Sequence, residues 1–151
     1  MPDAVIEFDE ATVANALGVE IDDVIDIMRT GTGASPWMER RIREEFDLDN
    51  PEGNEDGVSD KGPVEIKGIT KYGVKLVPSW MVGSGRSVDW DALNNWLDGM
   101  SGGFILHDNT KFPSVPCWLI ETEIVKEWAE DGKISASGGM TYETITSLLD
   151  W

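Results

Sequence analysis

The feature that most restricts how this chain can fold lies between Gly57 and Ile69. Gly57-Val-Ser is followed by Asp60-Lys-Gly-Pro and then by Val64-Glu-Ile-Lys-Gly-Ile, which reads as strand, turn, strand. In the second strand Val64 and Ile66 alternate with Glu65 and Lys67, so one face is apolar and the other carries two opposite charges. A two-residue turn at Lys61-Gly62 pairs Asp60 with Pro63, and sets Val58 opposite Glu65 and Asp56 opposite Lys67. A turn one residue longer or shorter brings Glu55 into that position instead.

Helical periodicity dominates before this ribbon. Asp9 or Thr12 can cap a short helix carrying Val13, Ala14 and Leu17, ended by Gly18. A second helix runs from about Ile21 to Met28, with Ile21, Val24, Ile25 and Met28 on one stripe. The pair is spaced like a helix-turn-helix, but its second helix carries Glu20, Asp22, Asp23 and Asp26 against Arg29 alone, the wrong sign for a groove reader. A hairpin for packing or partner contact fits better. Ser35-Pro36 opens a third helix to about Phe46, striped by Met38, Ile42 and Phe46.

After the ribbon, Val74 to Val82 reads as a strand, and Ser87 or Asp89 caps a helix through Trp90, Leu93, Trp96 and Leu97. Phe104-Ile-Leu-His and Cys117-Trp-Leu-Ile are core strands, Thr122 to Ala129 and Tyr142 to Leu149 helices. This order predicts a mixed α/β (α+β) domain, a sheet flanked by helices, with residues 1–34 an N-terminal helical hairpin packed on a core formed by 35–151.

Charge limits the partners. Twenty-nine acids against 12 bases give −17, which repels nucleic acid and anionic membranes at long range. The excess, with seven lysines, fits either a halophilic protein or simply an acidic surface. No apolar run reaches the roughly 18–20 residues that span a bilayer, and no signal peptide is visible, so no membrane association and a cytoplasmic location are expected. The lone cysteine, Cys117, excludes an intrachain disulfide framework and a zinc ribbon.

The ribbon carries the candidate chemistry. Asp56, Glu65 and Lys67 project from one side, and the two carboxylates with the Ile66 carbonyl form an oxygen-only site suited to Mg²⁺, with Glu55 in reserve. Such an ion polarises a phosphodiester and lowers the pKa of bound water, while Lys67 orients that water and offsets phosphate charge. A bare acid-x-Lys triplet occurs about once by chance in such a chain and recurs at Asp131-Gly132-Lys133; the hairpin context is what singles out Glu65.

The run Asp56-Gly-Val…Val-Glu65-Ile-Lys67-Gly resembles the core hairpin of the PD-(D/E)xK, or restriction-endonuclease-like, nucleases. Upstream, Trp37-Met-Glu39-Arg40-Arg-Ile-Arg resembles the helix that often brings a further acid. The resemblance spans roughly Ser35 to Ile69. It implies a restriction-endonuclease-like core, Asp56 and Glu65 as ligands of Mg²⁺ (or Mn²⁺), Lys67 as catalytic lysine, Glu39 as auxiliary ligand, and cleavage of DNA, often by a homodimer.

Between Lys61 and Arg86, five bases (Lys61, Lys67, Lys71, Lys75 and Arg86) face the single acid Glu65, and Arg40, Arg41 and Arg43 lie on the Glu39 helix. Basic charge thus gathers near the proposed chemistry, as a phosphate-binding face needs, although lysines also protect ordinary edge strands. Arg40, Arg43, Lys61, Lys71, Lys75 and Arg86 are the candidate DNA contacts. Elsewhere, His107 and Cys117 read as structural, Trp90, Trp96, Trp118 and Trp128 as core, and Trp37, Trp80 and Trp151 as interface candidates. Rival readings are a non-enzymatic acidic protein, such as a DNA mimic or a viral assembly component, and an inactivated nuclease fold.

Overall fold

Alternation along the strands decides the architecture. The computed structural model describes residues 1–30, 35–82 and 88–150. β5 (Gly103–Asp108) is buried throughout. Phe104 and Leu106 enter one apolar cluster and Ile105 another, so the sheet must be covered on both faces. That sheet has five strands in the order β1-β6-β5-β3-β2, where β1 is Ala4–Glu7, β2 Gly57–Ser59, β3 Gly62–Ile69 and β6 Ser114–Ile120. β3 and β5 run parallel, joined across α4 (Trp90–Asp98), while every other neighbour is antiparallel. The fold is mixed α+β, as the element order predicts.

One face is covered by α1 (Glu10–Leu17), α2 (Ile21–Thr30) and α3 (Ser35–Glu45), whose Ala14, Val24, Met28, Met38 and Ile42 pack with Val64, Ile66 and Ile105. Burying such aliphatic side chains contributes roughly 1.5–3 kcal/mol each. The other face packs Phe104, Leu106 and Trp118 against Leu93 and Leu97 of α4, Val125 and Trp128 of α5 (Thr122–Glu130) and Ile145 of α6 (Tyr142–Leu148). β4 (Val74–Lys75) pairs with β7 (Gly139–Met140) beside this second layer. Gly73, at φ +102°, makes that approach possible, because a Cβ there would run into the Met140 carbonyl.

Several details differ from the sequence reading. Residues 1–34 are not helical throughout: Ala4–Glu7 form an edge strand on β6, four residues being too few to show a period. The strand expected over Val74 to Val82 is only Val74–Lys75, followed by a 3₁₀ turn at Ser79–Met81. Trp118 and Trp128 are buried and Trp96 partly so, but Trp90, in the first turn of α4, is 40% exposed. Trp37 and Trp80 stand out from the surface, and Trp151 lies outside the described residues.

The hairpin register also shifts. Ser59 pairs with Gly62 and Gly57 with Val64, so the turn is Asp60-Lys61 rather than Lys61-Gly62. Ser59 sets it: its Oγ accepts from the Lys61 N–H at 3.1 Å and donates to the Gly62 carbonyl at 3.2 Å. The predicted partnerships of Val58 with Glu65 and of Asp56 with Lys67 are therefore not formed.

Acidic charge is spread over the outer helices. Glu20, Asp22, Asp23 and Asp26 at the second helix are exposed, as are Glu123, Glu127 and Glu130 on α5. Among the described residues, no helix is long and apolar enough to cross a membrane.

Candidate active site

β3 positions the central pair. Val64 and Ile66 are held in the layer beneath α1–α3, so the period of two turns Glu65 and Lys67 to the α4 side. There Glu65 is 5% exposed, and the Lys67 ammonium lies 3.4 Å from its Oε2. Burial, then the neighbouring Asp56 charge, pushes the Glu65 carboxyl up to about 7, against the pull of Lys67.

Asp56 arrives by a route that ladder pairing does not describe. Its N–H donates to the Val64 carbonyl at 3.0 Å, and its Oδ2 accepts from the Ile66 N–H at 2.9 Å. The side chain thus takes the place of a strand partner just where β2 has ended. Because N–H and C=O of one strand residue point to the same edge, the Ile66 carbonyl is directed to the Asp56 side as well. Arg43, from α3, fixes the Asp56 backbone by donating from Nη1 to its carbonyl at 2.9 Å. One helical turn earlier, Glu39 is half-buried, and its carboxyl is raised first by desolvation and then by Asp56.

These four side chains line one cavity of about 520 Å³, walled by Pro78, Trp80, Trp96 and Met100. Trp96 is braced edge-on against Phe104, ring centroids 5.8 Å apart. The structure therefore brings Glu39, Asp56, Glu65 and Lys67 together, despite the register shift. Glu55 also lines the cavity, but its Oε1 accepts from the N–H groups of Glu52 at 2.6 Å and Gly53 at 3.0 Å, closing the loop before β2. Its own backbone N–H first, and then those of Glu52 and Gly53, hold the Glu55 carboxyl below its ordinary range.

Among the described residues, no group of three or more His, Cys, Asp or Glu side chains is arranged to hold a metal ion. What the cavity offers is two carboxylates, Asp56 and Glu65, and the Ile66 carbonyl. That donor set suits Mg²⁺, which takes few protein oxygens and keeps several waters. Beyond burial, Asp56 and Glu39 raise the Glu65 carboxyl while Lys67 opposes them, and a divalent cation at this point would favour the charged form of Glu65.

A second cavity, of about 630 Å³, shares Glu39, Ile66 and Lys67 with the first and continues past Gly68, Tyr72 and Lys75 to Asn109, Ser135 and Ser137. Of the predicted phosphate contacts, Lys75 lines this trough, whereas Lys71, its ammonium 5.0 Å from the Tyr72 ring centroid, lines a different cavity with Asp22 and Asp26 of α2. Arg40 is exposed on α3, and Arg43 is engaged with Asp56. Lys61 lines a separate cavity with Asp98, Glu121 and Glu123, and Arg86 lies outside the described residues.

His107 is structural. Its Nδ1 is 2.7 Å from Asn109 Oδ1, and burial pulls it down to about 4, so it is neutral near pH 7 and brings no charge to a phosphate. Buried Asp108 next to it accepts from the Thr110 N–H and hydroxyl and from the Tyr142 hydroxyl. Cys117 is a buried apolar filler, its thiol pushed up to about 12 by desolvation.

Sequence reasoning missed Tyr72, Thr70 and Met100 as lining residues. The only local signal is the placement of Tyr72 in a Thr-Lys-Tyr-Gly turn, where an aromatic ring has no core to enter. No protein-family model matches the chain, and comparisons with curated proteins and with solved structures likewise find no match.

Proposed function

We propose that this chain is a Mg²⁺- or Mn²⁺-dependent deoxyribonuclease of the PD-(D/E)xK kind. The observation that carries the reading is the convergence of Glu39, Asp56, Glu65 and Lys67 on one cavity, with the Lys67–Glu65 pair on the face opposite the buried Val64 and Ile66. Asp56, Glu65 and the Ile66 carbonyl would hold the ion. When bound, it supplies a polarised phosphate and a water acidified toward neutrality. Lys67 holds that water and faces the charge that grows on the phosphate oxygens. Glu39 would serve as an auxiliary ligand, and Trp96 and Met100 wall the cavity. Lys75 and Lys71 hold the flanking backbone, with Arg40 and Arg86 as further contacts. A single small chain addresses one scissile phosphate, so cutting both strands of a duplex calls for a homodimer.

The decisive test incubates the protein with supercoiled plasmid and with branched DNA at low and high salt, with Mg²⁺, with Mn²⁺ and with a chelator. Nicking or linearisation that requires the divalent ion is expected. Intact DNA under every condition, from a folded protein, would overturn the reading and favour a non-enzymatic acidic binder.

Arg43 supplies a separate check, because it reaches the site through the Asp56 backbone and through its charge on Glu39. Arg43→Ala is expected to slow cleavage about tenfold and to raise the Mg²⁺ concentration needed for half-maximal rate, in line with effects of groups that orient metal ligands. Arg43→Lys restores part of this. A changed rate with an unchanged metal requirement would assign Arg43 to general stability.

A further inference from the structure

Two aromatic rings flank the catalytic cluster, one in each of the joined cavities. Trp80 lines the cavity of Glu65 and is 73% exposed; Tyr72 lines the adjoining trough and is 77% exposed. Lys67 belongs to both cavities and stands between them. Isolated exposed aromatics are ordinary on a protein surface. Two of them in cavities that share Glu39, Ile66 and Lys67 are a different matter, because such rings present flat apolar faces next to the proposed chemistry.

Charge narrows the choice of substrate. The chain carries −17, and the exposed acids on α2 and α5 oppose a broad polyanionic footprint. Among the described residues, Lys67 and Lys75 are the lysines that line the trough, Lys71 is set against the Tyr72 ring, and Arg43 acts on Glu39. A rigid duplex is held chiefly through many phosphate contacts, and its bases are stacked on one another, so they cannot offer a face to Trp80 or Tyr72 without being unstacked. A flexible unpaired strand needs few phosphate contacts, because each base contributes its own stacking energy of about 1–3 kcal/mol on an aromatic side chain. Asn109, Ser135 and Ser137 supply neutral hydrogen-bonding groups along the same trough.

We infer that the groove takes an unpaired polynucleotide strand, with one base stacked on Trp80 and another on Tyr72, so that the phosphate between them lies at Lys67. The inference rests on the nuclease reading of the site and names its substrate class: single-stranded segments, such as tails, flaps or gaps, in preference to continuous duplex.

The test measures binding by the full chain with Ca²⁺ as the divalent ion, using fluorescein-labelled oligo(dT), oligo(U) and a duplex of the same length. Fluorescence anisotropy is expected to show oligo(dT) or oligo(U) bound at least about tenfold tighter than the duplex, with quenching of tryptophan emission. Trp80→Ala and Tyr72→Ala are each expected to weaken strand binding on the order of tenfold, with duplex binding unmoved and circular dichroism unchanged. Trp80→Phe restores most of the loss. Equal or tighter duplex binding, no strand binding, or ring variants that bind like the parent would overturn the inference. Plasmid cleavage reports separately: duplex cutting without strand preference sinks this inference alone, whereas strand preference without cutting on any substrate sinks the nuclease reading.

Discussion

Lys67→Ala is expected to lower metal-dependent DNA cleavage by about a hundredfold to a thousandfold, the range found when a positioned charge that stabilises a transition state is removed. The reason is local. Lys67 is the cation paired with Glu65, and it stands where the two cavities of the groove meet. Its ammonium is partly exposed, so the substitution opens no large hole in the core. Binding of an oligonucleotide should weaken far less than the rate falls, because Lys75 and the aromatic rings remain. The measurement is a single-turnover cleavage assay at saturating Mg²⁺, with circular dichroism as the folding control. A variant that cuts at the parental rate would remove Lys67 from the chemistry.

Glu65→Gln is expected to abolish cleavage and yet to make the folded protein more stable above neutral pH. The Glu65 carboxyl ordinarily titrates near 4.5 and is raised to about 7 in the folded chain, first by burial and next by Asp56. A raised acid binds its proton more tightly in the folded state than in the unfolded one. The parental protein therefore loses stability as pH rises from about 4.5 to about 7, then runs level. Gln carries no charge to desolvate and escapes that loss, which amounts to at most about 3 kcal/mol. For a chain of this size that is roughly 6–12 °C in melting temperature. Melting curves should nearly coincide at pH 4.5 and separate at pH 8. Added Mg²⁺ should raise the parental curve and leave the Gln variant in place. Curves that coincide at both pH values would show that Glu65 is not held against its own charge.

The alternation of Val64 and Ile66 with Glu65 and Lys67 was legible because a period of two is enforced by the strand itself. What placed Asp56 was not legible in the same way. The expected register depended on a turn at Lys61-Gly62, and the Ser59 hydroxyl draws the turn one residue earlier. Asp56 still reaches the site because it lies outside the ladder and bonds the Ile66 N–H through its side chain. Moving the turn by one residue shifts the pairing by two, which keeps Asp56 on the face of Glu65. β1 was hidden for another reason: Ala4–Glu7 is stabilised by residues 114–117 of β6, a pairing over one hundred residues distant that leaves no local mark. Trp80 was legible as an interface candidate and is exposed, whereas the exposure of Tyr72 depends on where the loop beyond β3 travels.

The acids on α2 and α5 have a kinetic consequence. A polyanion approaching α2 or α5 meets like charge, whereas Lys67 and Lys75 line the trough. Encounters with those helices are turned away before contact, and those that succeed arrive already oriented. Dissolved ions flatten the barrier over a Debye length of about 8–10 Å near physiological strength. For the proposed substrate, then, brine would hasten the meeting, where for a basic protein it would delay it.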